Sequence, residues 1–248
     1  MNLCTDQLLI SLADREQILG LSRYAGERFE SFAAEDARRF RILSGGAEDI
    51  LQLHPDVVVA SQYDKRSTRE LLKGQGLHLV EFAVPRNLDE VKAQIRQTGG
   101  LVGHPDRASA EIARLDDAIA RARDAVSQHR YKVLPLSRRG WVSGSDSLLS
   151  SLLAETGLYN AAGDLGIAFG GYASLEAIVK LKPDFIVVAD ASDRAEDDGR
   201  AFLLHPALER FYPPSRRIVI PERLTVCGGV MLADALDRLV SELKRVGQ

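Results

Sequence analysis

The residues best able to do covalent or metal chemistry are few and scattered in this chain. Two cysteines, Cys4 and Cys227, are too few for a disulfide scaffold or a four-cysteine zinc site. They could pair, but a bond between distant halves of the chain would freeze them together, so separate and mostly buried thiols are expected. The five histidines are His54, His78, His104, His129 and His205, and three of them precede proline. That context marks turns and helix starts, not metal ligands drawn together from several elements. Ser143, Ser145 and Ser147 lie near Gly140 and Gly144 without forming a nucleophile elbow. Phosphate-binding glycine motifs and the zinc-protease helix motif are missing too. No catalytic set and no metal site are expected.

Composition narrows the class further. The 248 residues are 45% hydrophobic and 27% charged, an ordinary globular mixture. A net charge of −3 argues against a strongly basic nucleic-acid binder. No run reaches the roughly 18–20 apolar residues that span a bilayer. The opening "MNLCTDQLLISL" has neither a charged n-region nor a cleavage site, so any secretion leader is expected upstream or already removed.

The chain also repeats itself. "EDILQLHPDVVVA" at 48–60 and "EAIVKLKPDFIVV" from 176 align at a shift of 128 positions, matching Glu48 with Glu176, Pro55 with Pro183 and Asp56 with Asp184. "TDQLLISL" at 5–12 aligns with "SDSLLSSL" at 145–152 at a shift of 140. Two matches in the same order point to a duplicated lobe. Each copy reads as α/β. In the first, a short strand ends near Cys4 and leads into a helix over about Asp6–Ala13. A helix at Glu48–Leu53, the strand Val57–Ala60 and a strand at 78–82 follow. In the second, strands at 132–136, 185–189 and 217–220 alternate with helices over about Ser147–Thr156 and Leu175–Leu181, and a helix from about Met231 to Arg245 closes the chain. Continuous apolar strands suit parallel sheets buried on both faces. Pro105 opens a third kind of segment, in which Ile112, Leu115, Ile119, Ala122 and Val126 form one stripe at helical spacing. A helix over 105–128 would be roughly 36 Å long. The expected architecture is two similar α/β lobes with central parallel sheets: an N-terminal lobe at 1–102, a linking helix at 103–130 and a C-terminal lobe at 131–248.

Two such lobes, the strut helix and the paired E-x-I-L-x-L-x-P-D signature resemble the class III periplasmic substrate-binding proteins of ABC importers. "NLCTDQLLISLADREQILGLS", "LLSSLLAETGLYNAA" and "LLHPAL" are similar to the cobalamin and iron-complex branch. The resemblance implies a periplasmic, monomeric binding component that delivers a small molecule to a membrane permease, with no intrinsic cofactor; the strut helix limits hinging, so little lobe closure is expected. It implies that Glu48 and Glu176 dock the permease; as acids in the first turn of a helix they could equally serve the helix dipole alone. It implies a ligand in the interlobe cleft, near the loops that carry Cys4, Thr5, Asp6, Tyr63, Trp141, Phe169, Tyr172 and Arg223. Thr5 or Asp6, and Ser145 or Asp146, are alternatively plain helix N-caps. Flat aromatic faces favour a corrinoid such as cobalamin. Haem, with Tyr63 or Tyr172 as axial ligand, and ferric siderophores held by Arg66, Arg138, Arg139 and Arg223 remain open. A sensor or adaptor on the same fold, or an enzyme using Asp6, Asp146 and Cys4, are the rival readings.

Overall fold

The computed structural model describes residues 1–126, 130–189 and 198–247, and it separates into two compact units. Unit one comprises Met1–Pro85, Asp89–Ala113 and Val226–Met231, and unit two comprises Arg86–Leu88, Arg114–Thr225 and Leu232–Gln248.

In unit one, α1 (Leu3–Leu12) is followed by a long stretch whose only helix longer than one turn of 3-10 type is the four-residue α2 (Ala34–Ala37). Then come α3 (Ala47–Gln52), β1 (Val58–Ser61), α4 (Arg66–Gly74), β2 (Leu79–Phe82) and α5 (Leu88–Leu101), whose body belongs here. β1 and β2 pair in parallel, Val58 opposite Leu79 and Ser61 opposite Phe82, with α4 as the crossover that parallel strands require. Ala47, Ile50, Val58 and Leu72 bury against Leu43, Leu51, Leu77 and Leu79. Leu21, Ala25 and Ala37 gather a second small cluster with Ile10, Ile18 and Phe40 beneath the irregular stretch.

The first element departs from expectation. Among the described residues, Met1 and Asn2 form no strand ahead of α1, which starts at Leu3 because Asn2 caps it. The Asn2 side chain accepts from the Cys4 and Thr5 amides, and the Thr5 hydroxyl accepts from the Asn2 amide, a complete capping box. Neither Thr5 nor Asp6 is the N-cap.

α6 (Pro105–Val126) has proline at its first position and 22 residues; its expected last residues, 127–128, lie outside the described ones. Unit two then holds β3 (Lys132–Pro135), β4 (Trp141–Ser143), α7 (Leu148–Glu155), β5 (Tyr159–Asn160), β6 (Gly170–Tyr172), α8 (Leu175–Leu181), β7 (Phe185–Val188), α9 (Asp198–Leu203), α10 (Pro206–Phe211), β8 (Arg217–Val219) and α11 (Leu232–Val246). Four strands form one parallel sheet in the order β5-β3-β7-β8. The register of β3 on β7 is fixed at its start, where Asp184 accepts from the Lys132 amide at 2.7 Å and donates its own amide to the Lys132 carbonyl at 2.7 Å. Leu134, Ile178, Ile186 and Leu208 lie at the centre of the core of this unit. Ser147 caps α7 by accepting from the Ser150 amide, so neither Ser145 nor Asp146 is the cap here. β4 and β6 form a separate antiparallel ribbon that the sequence reading placed in loops.

The cysteines correct another expectation. Cys4 and Cys227 are joined as a disulfide with Cα atoms 5.3 Å apart, and both belong to unit one. The bond therefore staples Val226–Met231 to α1 inside one unit. A ring closed over a sequence separation of 223 removes much unfolded-chain entropy, up to about 5 kcal/mol in the chain-entropy account. We expect Cys4→Ser, or reduction of the native protein, to lower the unfolding midpoint in scanning calorimetry by about 10 °C. An unchanged midpoint would mean that the staple carries no stability.

Candidate functional site

The residues expected to meet a ligand fall into three groups. The first is the opening turn of α1, and its side chains turn inward. Thr5 and Asp6 are each only 2% exposed. The Asp6 carboxylate accepts from the Ser22 amide at 3.0 Å and the Ser22 hydroxyl at 2.5 Å. Burial pushes the Asp6 carboxyl above its ordinary value, against the opposing pull of the Met1 ammonium and the Ser22 hydrogen bonds. Gln7 is buried beside it: its carbonyl accepts from the Phe32 amide at 3.1 Å and its amide donates to Cys227 Sγ at 3.4 Å. Sequence reasoning overlooked Gln7 and Ser22, because nothing in "SLADREQILGLS" signals that the serine returns to a helix sixteen residues back. Asp6 and Gln7 thus anchor the irregular stretch at 22–32, which carries the half-exposed rings of Tyr24, Phe29 and Phe32.

The second group follows β1. Asp64 closes the turn, accepting from the Ser61 amide at 2.8 Å and from the Asn2 side-chain amide at 3.0 Å. That turn projects Tyr63 into solvent, 74% exposed. A tyrosine displayed on a turn held by its neighbours is free to stack or to offer its oxygen.

The third group lies on unit two. Trp141 and Tyr172 pair directly across β4 and β6, with ring centroids 5.1 Å apart and planes at 77°. Val142, between outward-facing neighbours, is fully buried, so the ribbon has an inner aliphatic face and an outer aromatic one. The pairing continues past the strands: the Gly144, Ser145 and Asp146 amides donate to the carbonyls of Phe169, Ile167 and Ala168. Asp146 is therefore part of the ribbon's extension. Phe169, 72% exposed, lies under the Arg86 guanidinium at 5.9 Å from the ring centroid. Arg86 was not among the expected residues, and its distance in sequence hid it. Arg223 is exposed in a short 3-10 turn after β8, within unit two, whereas Cys227 is buried in unit one and offers no thiol to a ligand.

The paired acids occupy matching places. Glu48 and Glu176 are each the second residue of a short helix, α3 and α8, and both are exposed. A left-handed non-glycine residue stands between each helix and the following proline, His54 at φ 47° one residue after the Leu53 cap of α3 and Lys182 at φ 50° as the cap of α8. Hydrogen bonds from the Glu176 amide and the Ser174 hydroxyl hold the Glu176 carboxyl below its usual value. Among the described residues, no three His, Cys, Asp or Glu side chains gather as a metal site.

The family model described as periplasmic binding protein matches residues 2–213. This chain belongs to the periplasmic binding protein family. A curated cobalamin-binding protein of Halobacterium salinarum is 25% identical over 221 residues, covering 85% of this chain, and the chain spans 58% of that relative's length. Among solved structures, a periplasmic haem-binding protein from Roseiflexus sp. RS-1 is 25% identical with a TM-score of 0.76, covering 100% of this chain and 97% of that one. A periplasmic haem-binding protein from Pseudomonas aeruginosa shares the fold at 23% identity and a TM-score of 0.76, over 96% of this chain and 89% of its own.

The anchor on α1 is open to test. Asp6→Ala leaves the buried Ser22 amide without its acceptor, a loss of about 1–3 kcal/mol. Urea unfolding should show that loss, and hydrogen exchange at Ser22 and Tyr24 should accelerate. Unchanged protection at these amides would show that the stretch is held by packing alone.

Proposed function

We propose that this chain is the ligand-capturing component of an ABC importer, working in the periplasm and passing its cargo to a membrane permease. The observation that carries the reading is the family match over residues 2–213. The disulfide supports the compartment, since such bonds persist where the surroundings are oxidising. No described helix is long and apolar enough to cross a membrane, in keeping with a partner that supplies the membrane passage.

The cargo we propose is a corrinoid, with haem or another ferric chelate as the second reading. The curated relative's cobalamin supports the first, and the haem-binding structural relatives favour the second. Both suit the exposed rings of Tyr63, Trp141, Phe169 and Tyr172, because large flat ligands gain most from aromatic faces. For haem, Tyr63 and Tyr172 are the candidate axial ligands. Any metal travels inside the cargo, and the protein supplies the surfaces that hold it and, for haem, an axial tyrosine oxygen.

Docking falls to Glu48 and Glu176. Their matching positions on two similar helices provide a pair of fixed negative charges, suited to orienting a basic surface. Glu176 has a lowered folded pKa, so its charge is fully present above the ordinary glutamate range and is lost only as pH falls through that lower value.

Two measurements check this reading. Titration of the Trp141 fluorescence with cyanocobalamin, haemin and ferric siderophores, with calorimetry on each hit, should give saturable one-to-one binding tighter than about micromolar. Silence across the panel would overturn the cargo classes named here. Glu48→Lys with Glu176→Lys should leave that affinity within a few-fold and abolish stimulation of the transporter's ATPase. Stimulation that survives the double reversal would remove both acids from the docking role.

A further inference from the structure

Gly170 lies where the Trp141 indole needs an empty place. Along β6, Gly170 and Tyr172 share the outer face, and Trp141 on β4 is directly opposite Tyr172 and diagonal to Gly170. A Cβ on Gly170 would stand 2.5 Å from Trp141 Cζ2, 3.2 Å from Cη2 and 3.3 Å from Cε2. All three atoms belong to the six-membered ring, so that ring lies over the Gly170 Cα, in the space a side chain would fill. A cross-strand aromatic covering a glycine is a known way to seal a ribbon. Gly171, on the opposite face, is different: its Cβ would meet Ile167 at no less than 3.4 Å, an ordinary contact.

The entry to the ribbon is fixed as well. Arg139 and Gly140 are both left-handed, at φ 58° and 78°, and the Gly140 carbonyl accepts from the Ala173 amide at 2.9 Å. A Cβ on Gly140 would lie 2.7 Å from the Ala173 carbonyl oxygen. The backbone that delivers Trp141 therefore has little freedom, and the remaining choice is the direction of the indole. Gly170 decides it.

We infer that Gly170 is a positioning residue for cargo: it lays the indole down beside Tyr172, so that the two rings form one aromatic corner selective for a planar macrocycle. This rests on the proposed role of Trp141 and Tyr172 in ligand contact. The selectivity follows from the 77° between the rings. A flat plate stacked on one ring presents its rim to the other, and both contacts form together. A hydroxamate chelate wrapped around its iron has no such plate. With a side chain at 170 the indole must swing outward, and the corner opens.

The test compares Gly170→Ala with Gly171→Ala as the control. Trp141 is the only tryptophan, so its emission maximum and acrylamide quenching report its setting without ligand. Calorimetry then measures cyanocobalamin, haemin and ferrioxamine B. For Gly170→Ala we expect a red-shifted, more quenchable tryptophan and about tenfold weaker binding of whichever macrocycle the unaltered protein takes. Ferrioxamine B, if bound, should change less than about twofold, and Gly171→Ala should behave as the unaltered protein. Should Gly170→Ala unfold instead, adding Trp141→Ala should restore its melting midpoint, because the clash acts through the indole; no rescue would overturn the inference. An unmoved tryptophan in Gly170→Ala, or a moved one with macrocycle affinity intact, would overturn it too. If the unaltered protein bound only ferrioxamine B, the planar class would fall while the importer reading stood. If it bound none of the three, the cargo reading would fail and take this role of Gly170 with it.

Discussion

Unit one is organised around polar side chains that α1 carries inward. Between α1 and α3 the chain runs some thirty residues with almost no regular structure, and such a stretch cannot satisfy its backbone groups through a ladder. Beyond its own turns and the pairing of Leu21 with Arg41 and Leu43, it uses Asp6 and Gln7, which reach out from the helix and accept from the Ser22 and Phe32 amides. Burying a carboxylate costs several kilocalories per mole unless hydrogen bonds replace its water. The two Ser22 donors supply that replacement, and Asp6 in turn defines where the stretch returns to the helix. The disulfide then adds a covalent link in the same opening turn, and Gln7 touches its Cys227 sulfur, so this one turn of helix holds three separate segments. Tyr24, Phe29 and Phe32 are exposed rings on a framework fixed from below.

The duplicated motif shows what a repeat preserves and what it lets drift. In both copies a short helix is followed by a left-handed residue, proline comes next, and a buried strand begins. Proline disfavours a right-handed helical residue before it, so the corner is written into the P-D signature itself. Histidine and lysine accept the left-handed backbone at a modest cost, well below what a β-branched residue would incur. The aspartate after proline has diverged in use. Asp184 locks the β3–β7 register, whereas Asp56 is exposed. What both copies keep is an exposed second residue on the short helix, and that residue is glutamate each time.

Most of the regular skeleton was legible in the sequence. α8 matches its expected bounds, and β1, β2, β3, β7, β8 and α11 lie within a residue or two of theirs, because long apolar runs and caps speak locally. The resemblance carried by the ordered motifs pointed to the right family. What escaped was nonlocal. Pairing of β4 with β6 joins two three-residue strands, too short and too glycine-rich to register as strands at all. The Asp6–Ser22 bond and the Arg86–Phe169 stacking depend on turns whose geometry no spacing rule encodes. The disulfide was misjudged for a related reason: Cys227 lies late in the chain, yet its segment folds with unit one. Chain order assigned it to the wrong lobe, and the argument against a bond followed from that assignment.

Exposed aromatic rings usually mark a surface with a purpose, and the two units reach that exposure by different means. Unit one displays Tyr63 from a turn closed by Asp64, so the ring pivots on a short tether held by two hydrogen bonds. Unit two displays Trp141 and Tyr172 from a paired ribbon whose inner face is anchored by the buried Val142. In the proposed ligand-binding role, the first arrangement would tolerate ligands of varied shape, because its ring can re-aim at little cost. The second is set before any ligand arrives, since strand pairing, the left-handed entry at Arg139–Gly140 and the vacancy above Gly170 leave the indole one comfortable direction. Preorganisation of that kind spares a ligand the ordering entropy that loose side chains would charge against binding. The ribbon is therefore where shape discrimination should concentrate, and the turn is where accommodation should.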